Sequence, residues 1–498
     1  MTESSPRGEE RIQTGIPGLD TVLRGGFRPG RTYMVMGLPG AGKTILANQV
    51  CFHHAANGGR VLYVTLLAES HTELVANLRS LTFFDGSRLP ESVTYLSAFT
   101  VLEQGGLEAL AELIRKEIRA QKATLIVLDG LVAAEEAAPS PQALKKFIHG
   151  LQVVTNLVNC TTLVLTTGGG RGLRAEHTMV DGLLILKQRM FGVRSIRELV
   201  VRKFRGSAHL LGKHSFEITR DGIVLYPRLE TLVDEGATPV QPGDARCAFG
   251  IKGLDKMLSG GIPAGSSTLL LGPPGSGKTL LGLNFLAEGV RKGERGHYFS
   301  FYDSPERMLA QTAGVGMKLA PLLERRDLEV SYRAPMENII DKLGAQLLVA
   351  IRERGVKRLF LDGYDALQKA AVRRTRAARF LTALVNECRL RGVTLVYSVE
   401  TTTAFGPQVE FPMRGISMVA ENLLFLRLAE LRSELRRFVC ALKVRGSAYD
   451  PALRELLISA KGVEVGATFE DAQQLMTGLA RTSTQAPPSP RRRGRRGK

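Results

Sequence analysis

One motif occurs twice in this chain, and its repetition limits the possible folds more than any other feature. GIPGLDTVLRGGFRPGRTYMVMGLPGAGKT (15–44) aligns without a gap with GIKGLDKMLSGGIPAGSSTLLLGPPGSGKT (250–279), so that the offset between the two copies is constant. Two later landmarks repeat at nearly the same offset, LIVLDG with RLFLDG and RKFRGS with LKVRGS. A repeat this long indicates a tandem duplication of a domain of roughly 225 residues rather than a solenoid of short units.

The length of 498 residues is sufficient for two such domains, each with its own core. After the first repeat, TLVDEGATPVQPGD loses periodicity and gathers proline, glycine and acidic residues, which predicts a linker at 230–245. The predicted organisation is a disordered N-terminus (1–10), a first domain (11–229), the linker, a second domain (246–480) and a disordered basic tail (481–498).

Within each repeat, short apolar runs alternate with segments of helical periodicity. TYMVMG and STLLLG are apolar runs that end in a glycine-rich loop, as buried parallel strands do. Between 107 and 118, leucine and isoleucine recur at helical spacing, and the apolar run LIVLD follows. This alternation predicts an α/β fold with a mostly parallel sheet and helices on both faces.

GLPGAGKT and GPPGSGKT match the pattern G-x-x-x-x-G-K-T of a phosphate-binding loop. The glycines let consecutive backbone N–H groups converge on phosphates at the positive end of the following helix. The lysine reaches the β- and γ-phosphates, and the threonine hydroxyl binds Mg²⁺, so ATP and Mg²⁺ are the expected ligands. A glycine turn without a ligand is the alternative. The predicted nucleotide-binding residues are Gly37, Gly40, Ala41, Gly42, Lys43, Thr44, Ile45, Gly272, Gly275, Ser276, Gly277, Lys278, Thr279 and Leu280.

Asp129 and Asp362 end the apolar runs LIVLD and RLFLD. A carboxylate there, together with Thr44 or Thr279 of the loop, predicts a magnesium site in each domain. Both aspartates are followed by glycine, whereas AAA+ ATPases usually place their catalytic glutamate directly after this aspartate. The base that activates water must therefore come from another position.

That position is predicted at the end of the run that follows the phosphate-loop helix. Glu69 stands there in VLYVTLLAESH of the first repeat, and Asp303 stands there in GHYFSFYDSPER of the second, one position closer to its motif lysine. A carboxylate there can orient and deprotonate the water that attacks the γ-phosphate. For Asp303, a helix N-cap ahead of S-P-E-R is the alternative.

These motifs, in this order, resemble the KaiC family of circadian clock ATPases, which belong to the RecA-like superfamily. The resemblance covers about 11–480 and includes a C-terminal F-x-x-x-x-x-L-x-T-G piece that starts at Phe469. It implies two tandem RecA-like P-loop domains, each a mostly parallel sheet flanked by helices. It also implies homo-hexamers of two stacked rings with ATP bound between neighbouring subunits, and a C-terminal ring that can autophosphorylate.

The site residues of the family carry over unevenly. Its adjacent glutamate pair corresponds to Ala68-Glu69 in the first repeat and Tyr302-Asp303 in the second. Losing a methylene displaces the carboxylate by about 1.5 Å, and a misplacement of this size can cost about a hundredfold in rate. The first site is therefore expected to hydrolyse ATP, and the second is expected to be impaired.

Two K-x-R-G segments contribute Lys203 with Arg205 and Lys443 with Arg445. The resemblance implies that these side chains reach the γ-phosphate bound by the adjacent subunit, where an arginine stabilises the transition state and makes hydrolysis depend on assembly. From the residues alone, a solvated strand face is the alternative.

The family's phosphorylated Ser-Thr pair corresponds to Ser417-Met418, which precedes Lys443 by the same separation as His177-Thr178 precedes Lys203 in the first repeat. Autophosphorylation at Ser417 is therefore a hypothesis with one acceptor retained and the other lost, and an ordinary surface serine is the alternative.

The formal net charge is +19, and the tail RRRGRRGK supplies six of the positive charges. The tail is either solvated or an electrostatic tether to nucleic acid or an acidic partner. No apolar stretch approaches the roughly 20 residues that span a bilayer, so no membrane association and a cytoplasmic location are expected. The five dispersed cysteines are expected to be buried thiols.

Three functions stay open from these observations. The first is an ATP-hydrolysing regulatory ring whose state is read by a signalling protein such as a histidine kinase, with serine/threonine autokinase activity possible in the second domain. The second is a DNA-dependent ATPase related to RecA or a helicase, favoured by the charge of +19. The third is a scaffold in which the nucleotide is structural.

Overall fold

A computed structural model of the protein describes residues 10–67, 71–167, 178–233, 240, 244–334, 338–371, 373–401, 419–431 and 434–468. Glu69, His177, Ser417, Met418 and the segment from 469 onward lie outside these residues. The chain divides into two compact units: the first comprises the first repeat together with Ile339–Leu347, and the second comprises the rest. The linker and tail boundaries stay predictions.

The first repeat contains a nine-stranded sheet. Its strands are β1 (Thr32–Met36), β2 (Val61–Thr65), β3 (Val93–Ser97), β4 (Leu125–Asp129), β5 (Thr161–Thr166), β6 (Gly182–Phe191), β7 (Arg194–Phe204), β8 (His214–Thr219) and β9 (Gly222–Tyr226). Its helices are Leu19–Val22, Lys43–Ala56, His71–Leu78, Phe99–Gln121, Leu131–Ala137 and Pro141–Leu157, with 3-10 turns at Gly86–Arg88 and Leu229–Thr231. The strand order is β3-β2-β4-β5-β1-β6-β7-β8-β9, parallel from β3 to β6 and antiparallel from β6 to β9.

The second repeat has the same arrangement. Its strands are β10 (Arg246–Cys247), β11 (Ile262–Pro263), β12 (Ser267–Gly272), β13 (Gly296–Ser300), β14 (Leu328–Tyr332), β15 (Arg358–Asp362), β16 (Thr394–Glu400), β17 (Asn422–Leu431), β18 (Glu434–Val444), β19 (Arg454–Ser459) and β20 (Gly462–Thr468). Its helices are Lys252–Met257, Lys278–Arg291, Pro305–Ala313, Ala320–Glu324, Ile340–Arg352, Tyr364–Ala370 and Arg374–Leu390. The main sheet has the order β14-β13-β15-β16-β12-β17-β18-β19-β20, and β10 pairs with β11.

The parallel strands are apolar on both sides because both faces of the sheet are covered. In the first repeat, Tyr33 and Val35 belong to one buried cluster, while Met34 belongs to another on the opposite face. Successive side chains of a strand point to opposite faces, so two separate cores form on one sheet. All five cysteines are buried and unpaired. Within the described residues, no helix is long and apolar enough to cross a membrane.

The strand order places the two motifs that bind phosphate and metal at one edge. The phosphate loop follows β1 or β12, and the strand-end aspartate is the last residue of β4 or β15. One strand, β5 or β16, lies between them in each sheet. In open parallel sheets, ligands bind at the carboxyl ends of the strands where the order reverses. The prediction of an α/β fold with two tandem RecA-like domains is confirmed.

Arg358 is a buried charged residue of β15 that connects the second sheet to neighbouring segments of the second repeat. It occupies the register position that Leu125 has in the first sheet, since Gly296 pairs with Arg358 as Val61 pairs with Leu125. Its guanidinium donates to the carbonyls of Ala248 (2.7 Å) and Phe285 (2.8 Å) and pairs with Glu294. Its side chain is 1% exposed, and these partners satisfy Nε and Nη1 while Nη2 has no hydrogen-bond partner.

We therefore expect Arg358→Ala to lower the free energy of unfolding of the second repeat by about 3 kcal/mol, because it leaves a cavity and two buried carbonyls without their donor. Glu294→Gln should cost less, since the amide oxygen of glutamine can still accept the hydrogen bond from Arg358 Nε. Urea-dependent hydrogen exchange of peptides from β13 and β15 measures both. Equal effects of the two substitutions would contradict this account.

Candidate functional site

The phosphate loops have the backbone geometry that their glycines allow. Gly40 and Gly275 have φ of 78° and 74°, and a Cβ at either would meet no atom within 4 Å. Gly42 and Gly277 have φ of 100° and directly precede the helices that begin at the motif lysines. The left-handed backbone, rather than lack of space, therefore explains glycine at Gly40 and Gly275. Each loop ends at the N-terminus of a helix of 14 residues, a position that favours anions.

Both motif lysines fold back onto their own loops. Lys43 Nζ donates to the carbonyls of Gly37 and Leu38 at 2.7 and 3.2 Å, and Lys278 Nζ donates to the corresponding carbonyls at 2.9 and 2.8 Å. Burial lowers the pKa of both ammonium groups, and the carboxylate of Asp129 opposes that shift for Lys43. The charge is thus held at the loop by carbonyls that a phosphate can replace as acceptors.

The residues predicted to bind magnesium come together in both repeats. Thr44 Oγ1 donates to Asp129 Oδ2 at 3.2 Å, and Thr279 Oγ1 donates to Asp362 Oδ2 at 2.8 Å. A hydroxyl beside a carboxylate is a hard oxygen donor set of the kind that Mg²⁺ prefers. The residues present therefore fit Mg²⁺. Among the described residues, no group of three or more histidine, cysteine or acidic side chains is placed to hold a metal, so each site would bind Mg²⁺ through one carboxylate and one hydroxyl together with water and phosphate oxygens.

Each aspartate has a tyrosine partner that sequence reasoning missed. Tyr63 OH donates to Asp129 Oδ2 at 2.8 Å, and Tyr298 OH donates to Asp362 Oδ2 at 3.1 Å. The signal was available, because both tyrosines occupy the third position of the strand after the phosphate-loop helix. In the second repeat, the Ser398 hydroxyl also donates to Asp362. Burial raises the pKa of both carboxyls, and these hydrogen bonds oppose the rise.

The glycine after each aspartate has a conformational reason. Gly130 and Gly363 have φ of 97° and 106° and cap the helices that follow. A Cβ at Gly363 would also lie 2.7 Å from a ring carbon of Tyr302. A glutamate at either position would adopt a strained backbone, which accounts for the absence of an adjacent catalytic glutamate.

The two candidate bases differ in what the structure says of them. Glu69 lies outside the described residues, so its role stays a prediction. Asp303 is 8% exposed, and its Oδ1 accepts from Gln311 Nε2 at 3.2 Å and lies 3.3 Å from Arg307 Nε. The helix N-cap is Ser304, whose side chain accepts from the Arg307 backbone N–H. The carboxylate of Asp303 therefore contacts side chains of the helix that follows it, and its catalytic role stays a prediction.

A cavity lies beside each phosphate loop. The first, of about 320 Å³, is lined by 36–38, Thr167 and 185–189. The second, of about 290 Å³, is lined by Gly275, Gly277, Lys278, Thr279, Leu280, Tyr302, Asp362, Glu400, Arg437 and Ile458. A larger cavity of about 740 Å³ in the second repeat is lined by 250–253, 315–319, 461–465 and parts of two helices, and it contains none of the predicted site residues.

Arg437 and Glu400 are site residues that no motif predicted. Arg437 Nε donates to the Gly275 carbonyl of the phosphate loop at 2.9 Å, and Glu400 Oε1 lies 3.8 Å from Lys278 Nζ. Both residues come from strands far from the loop in sequence. Only the strand order brings them to the cavity.

The K-x-R-G residues lie away from these two cavities. Lys203 Nζ and Arg205 Nη2 donate to the Thr178 carbonyl at 2.6 and 3.2 Å, and Lys443 Nζ donates to the Ala420 carbonyl at 2.9 Å. Neither these side chains nor Arg445 line the cavity of their own repeat. The structure therefore does not join them to the phosphate loop of their own domain, and their role stays a prediction.

Taken together, two phosphate loops, each facing a strand-end aspartate on a parallel sheet, define a tandem RecA-like P-loop protein. The profile of the family "ATPase: KaiC" matches residues 12–230 and 247–470. The chain belongs to the KaiC ATPase family.

Curated relatives cover nearly the whole chain. The circadian clock oscillator protein KaiC of a Picosynechococcus species is 27% identical, over 95% of this chain and 92% of the relative. From Synechocystis, the circadian clock oscillator protein KaiC 1 is 26% identical, over 95% and 92%. The circadian clock protein KaiC3 of the same organism is 25% identical, over 98% and 97%. The similarity therefore includes both repeats.

The burial of Asp362 predicts a stability change with a definite pH dependence. Its folded-state pKa is raised, so its contribution to stability is present at low pH and is lost as pH rises through that pKa. Asp362→Asn should therefore raise the thermal midpoint at pH 7.5 by roughly 2 to 4 °C, and the gain should shrink as pH falls.

Asp450 provides a control of opposite sign, because hydrogen bonds from Arg454 and the backbone of Ala452 lower its pKa. Asp450→Asn should lose stability at neutral pH, with the loss shrinking on acidification. Scanning calorimetry from about pH 2 to 8 measures both variants, because the contribution of Asp450 is lost only as pH falls through a folded-state pKa that lies below its ordinary value. A fall in the midpoint of Asp362→Asn at pH 7.5 would show that the hydrogen bonds outweigh the desolvation of the carboxylate.

Proposed function

We propose that the protein is an ATP-driven regulatory ring. Both domains bind ATP with Mg²⁺, the first domain carries most of the hydrolysis, and the second turns over slowly. The observation that carries this proposal is the pairing of Thr44 with Asp129 and of Thr279 with Asp362 beside intact phosphate loops. The two sites share these contacts but differ in the residues around them, which suits a protein in which one site hydrolyses ATP and the other regulates the ring.

In the first domain, this chain's residues divide the reaction between them. Lys43 binds the β- and γ-phosphates at the helix N-terminus, and Thr44 with Asp129 holds Mg²⁺, which neutralises phosphate charge when bound. Glu69 accepts the proton of the attacking water as the water oxygen bonds to the γ-phosphorus, and the bond from that phosphorus to the bridging oxygen breaks, which leaves ADP and inorganic phosphate. Tyr63 keeps the Asp129 carboxylate oriented by its hydrogen bond.

We infer that the chain acts as a homo-hexamer with ATP at subunit interfaces. Lys203 and Arg205 share the carbonyl of Thr178, and each side chain has further donors for the phosphate of a neighbouring subunit. Relatives named as circadian clock proteins suggest that the state of the ring is read by another protein, such as a histidine kinase. Autophosphorylation at Ser417 stays a hypothesis that the described residues do not test.

Hydrolysis at the first site makes a specific prediction for Glu69→Gln. Removal of the base should lower the steady-state ATPase rate by about a hundredfold, because the second site contributes little. Lys43→Ala should lower the rate similarly but should also abolish binding of a fluorescent ATP analogue at the first site, which Glu69→Gln should retain. A Glu69→Gln variant with full activity would contradict the assignment of the base.

The same assay with single-stranded DNA addresses the alternative of a DNA-handling ATPase. A regulatory ring should show an ATPase rate that DNA does not change, whereas binding through the net charge of +19 should fade steeply with salt. Stimulation by DNA that persists at about 0.2 M salt would favour the DNA-dependent ATPase instead.

Hydrolysis shared between subunits makes a second prediction. Arg205→Ala should lower the first-site rate roughly a thousandfold, as removal of an arginine finger does, while keeping nucleotide affinity, so that the total rate falls to about the level that remains in Lys43→Ala. Mixing Arg205→Ala subunits with Lys43→Ala subunits should restore part of the activity, because intact arginines then face intact phosphate loops. The matched control is Arg202→Ala, which removes an arginine of β7 that directly precedes Lys203. Mixed rings without any recovered activity would argue against an arginine that acts across the interface.

A further inference from the structure

The motif lysine of the second domain lies near several carboxylates. Glu400, Asp362 and Asp365 all act electrostatically on Lys278 and oppose the lowering of its pKa by burial. Among the described residues, which leave out Glu69, Asp129 is the carboxylate that acts on Lys43. Lys278 is only 7% exposed, and Glu400 is the carboxylate paired with it, at 3.8 Å. The phosphate loop of the second domain therefore has a carboxylate, that of Glu400, close to its lysine.

Glu400 is positioned by the sheet itself. It is the last residue of β16 and pairs in register with Gly272, the first residue of the phosphate loop. Its backbone N–H donates to Asp365 Oδ2 at 3.3 Å. Its side chain is 39% exposed and lines the same cavity as Lys278, Thr279 and Asp362. The carboxylate therefore faces the place where phosphates bind while keeping access to water.

The first domain has a threonine where the second has Glu400. Leu125 pairs with Thr161 and Arg358 pairs with Thr394 at the same register, and six residues later the first strand reaches Thr167 and the second reaches Glu400. Thr167 lines the first cavity, so both positions border their phosphate loops. A threonine hydroxyl is a poor proton acceptor, whereas a glutamate side chain can accept a proton from water as a general base.

The predicted base of the second domain is occupied elsewhere. Asp303 contacts Arg307 and Gln311 of its own helix, and Tyr302 lines the cavity in its place. Of the described residues that line this cavity, Glu400 and Asp362 are the carboxylates, and Asp362 bonds to the hydroxyls of Thr279, Tyr298 and Ser398. Glu400 is the carboxylate that remains available to a water molecule.

We propose that Glu400 is the catalytic base of the second domain; the inference rests on the proposed ATPase function. The Glu400 carboxylate accepts a proton from water as the water oxygen forms a bond to the γ-phosphorus. The bond from that phosphorus to the bridging oxygen breaks, which leaves ADP and inorganic phosphate, and the proton passes from Glu400 to solvent.

The distance supports this role. The lysine of such a loop contacts the γ-phosphate, and Glu400 Oε1 lies 3.8 Å from its nitrogen. One water molecule can therefore contact both the carboxylate and the phosphorus, which is the reach that a general base requires. Lys278 and Arg437 flank the same cavity and offset the repulsion between the carboxylate and the phosphate.

The test measures second-site turnover in the full-length chain. In a Glu69→Gln background, the second-site rate is the difference in ATPase rate with and without the further substitution Lys278→Ala. Glu400→Gln should lower this second-site rate to about 1% of its value. Glu400→Asp should retain a fraction of it. The rival variant Asp303→Asn should lower it less than Glu400→Gln does. Binding of a fluorescent ATP analogue to the second site should change less than about threefold in Glu400→Gln.

Three results would overturn the inference. Second-site turnover that survives in Glu400→Gln means that another group is the base. Loss of ATP-analogue binding in Glu400→Gln means that the residue holds the nucleotide rather than activates water. If Lys278→Ala does not change the ATPase rate, the second domain does not hydrolyse ATP and has no catalytic base. In each case, the proposed function stands if the wild-type chain hydrolyses ATP and Glu69→Gln lowers that rate. A wild-type chain without ATPase activity would refute the proposed function itself.

Discussion

A buried carboxylate at the end of a central strand is the interaction on which each domain depends. Asp129 and Asp362 are 7% and 2% exposed, so ionisation there is unfavourable unless hydrogen bonds compensate. The compensation comes from a threonine on the phosphate-loop helix and a tyrosine on the neighbouring strand. The carboxylate therefore ties three elements together, and the parallel order of the sheet is what makes their ends meet.

The two sites differ in how far this compensation goes. Asp362 receives a third hydroxyl from Ser398, which in turn accepts from the Gly363 backbone N–H at 2.9 Å. More donors hold that carboxylate in a fixed orientation, and Lys278 is correspondingly buried. Among the described residues, the aspartate of the second site is thus held by more hydrogen bonds than that of the first, and its motif lysine is the more buried of the two.

Much of the fold could be predicted because its signals are local. The apolar runs, the glycine loops and the strand-end aspartates each lie within a few residues, and the repeat shows each of them twice. Tyr63 and Tyr298 were missed because a tyrosine inside an apolar strand is indistinguishable from a core residue until its neighbour is known. Glu400 was missed for a different reason: no motif contains it, and only the pairing of β16 with β12 brings it to the phosphate loop. For Glu69 and Ser417, the structure adds nothing to the sequence, since both lie outside the described residues.

The charges around the second loop explain why Arg437 and Glu400 belong together. A carboxylate beside a phosphate-binding lysine weakens the attraction for an anion, since like charges at such distances repel by several kcal/mol when partly shielded from water. Arg437, whose Nε donates to the Gly275 carbonyl, returns a positive charge to the same cavity. The first sheet has an arginine at the same register position, Arg197, so the carboxylate of Glu400 rather than the arginine is the feature that the second cavity adds among the described residues.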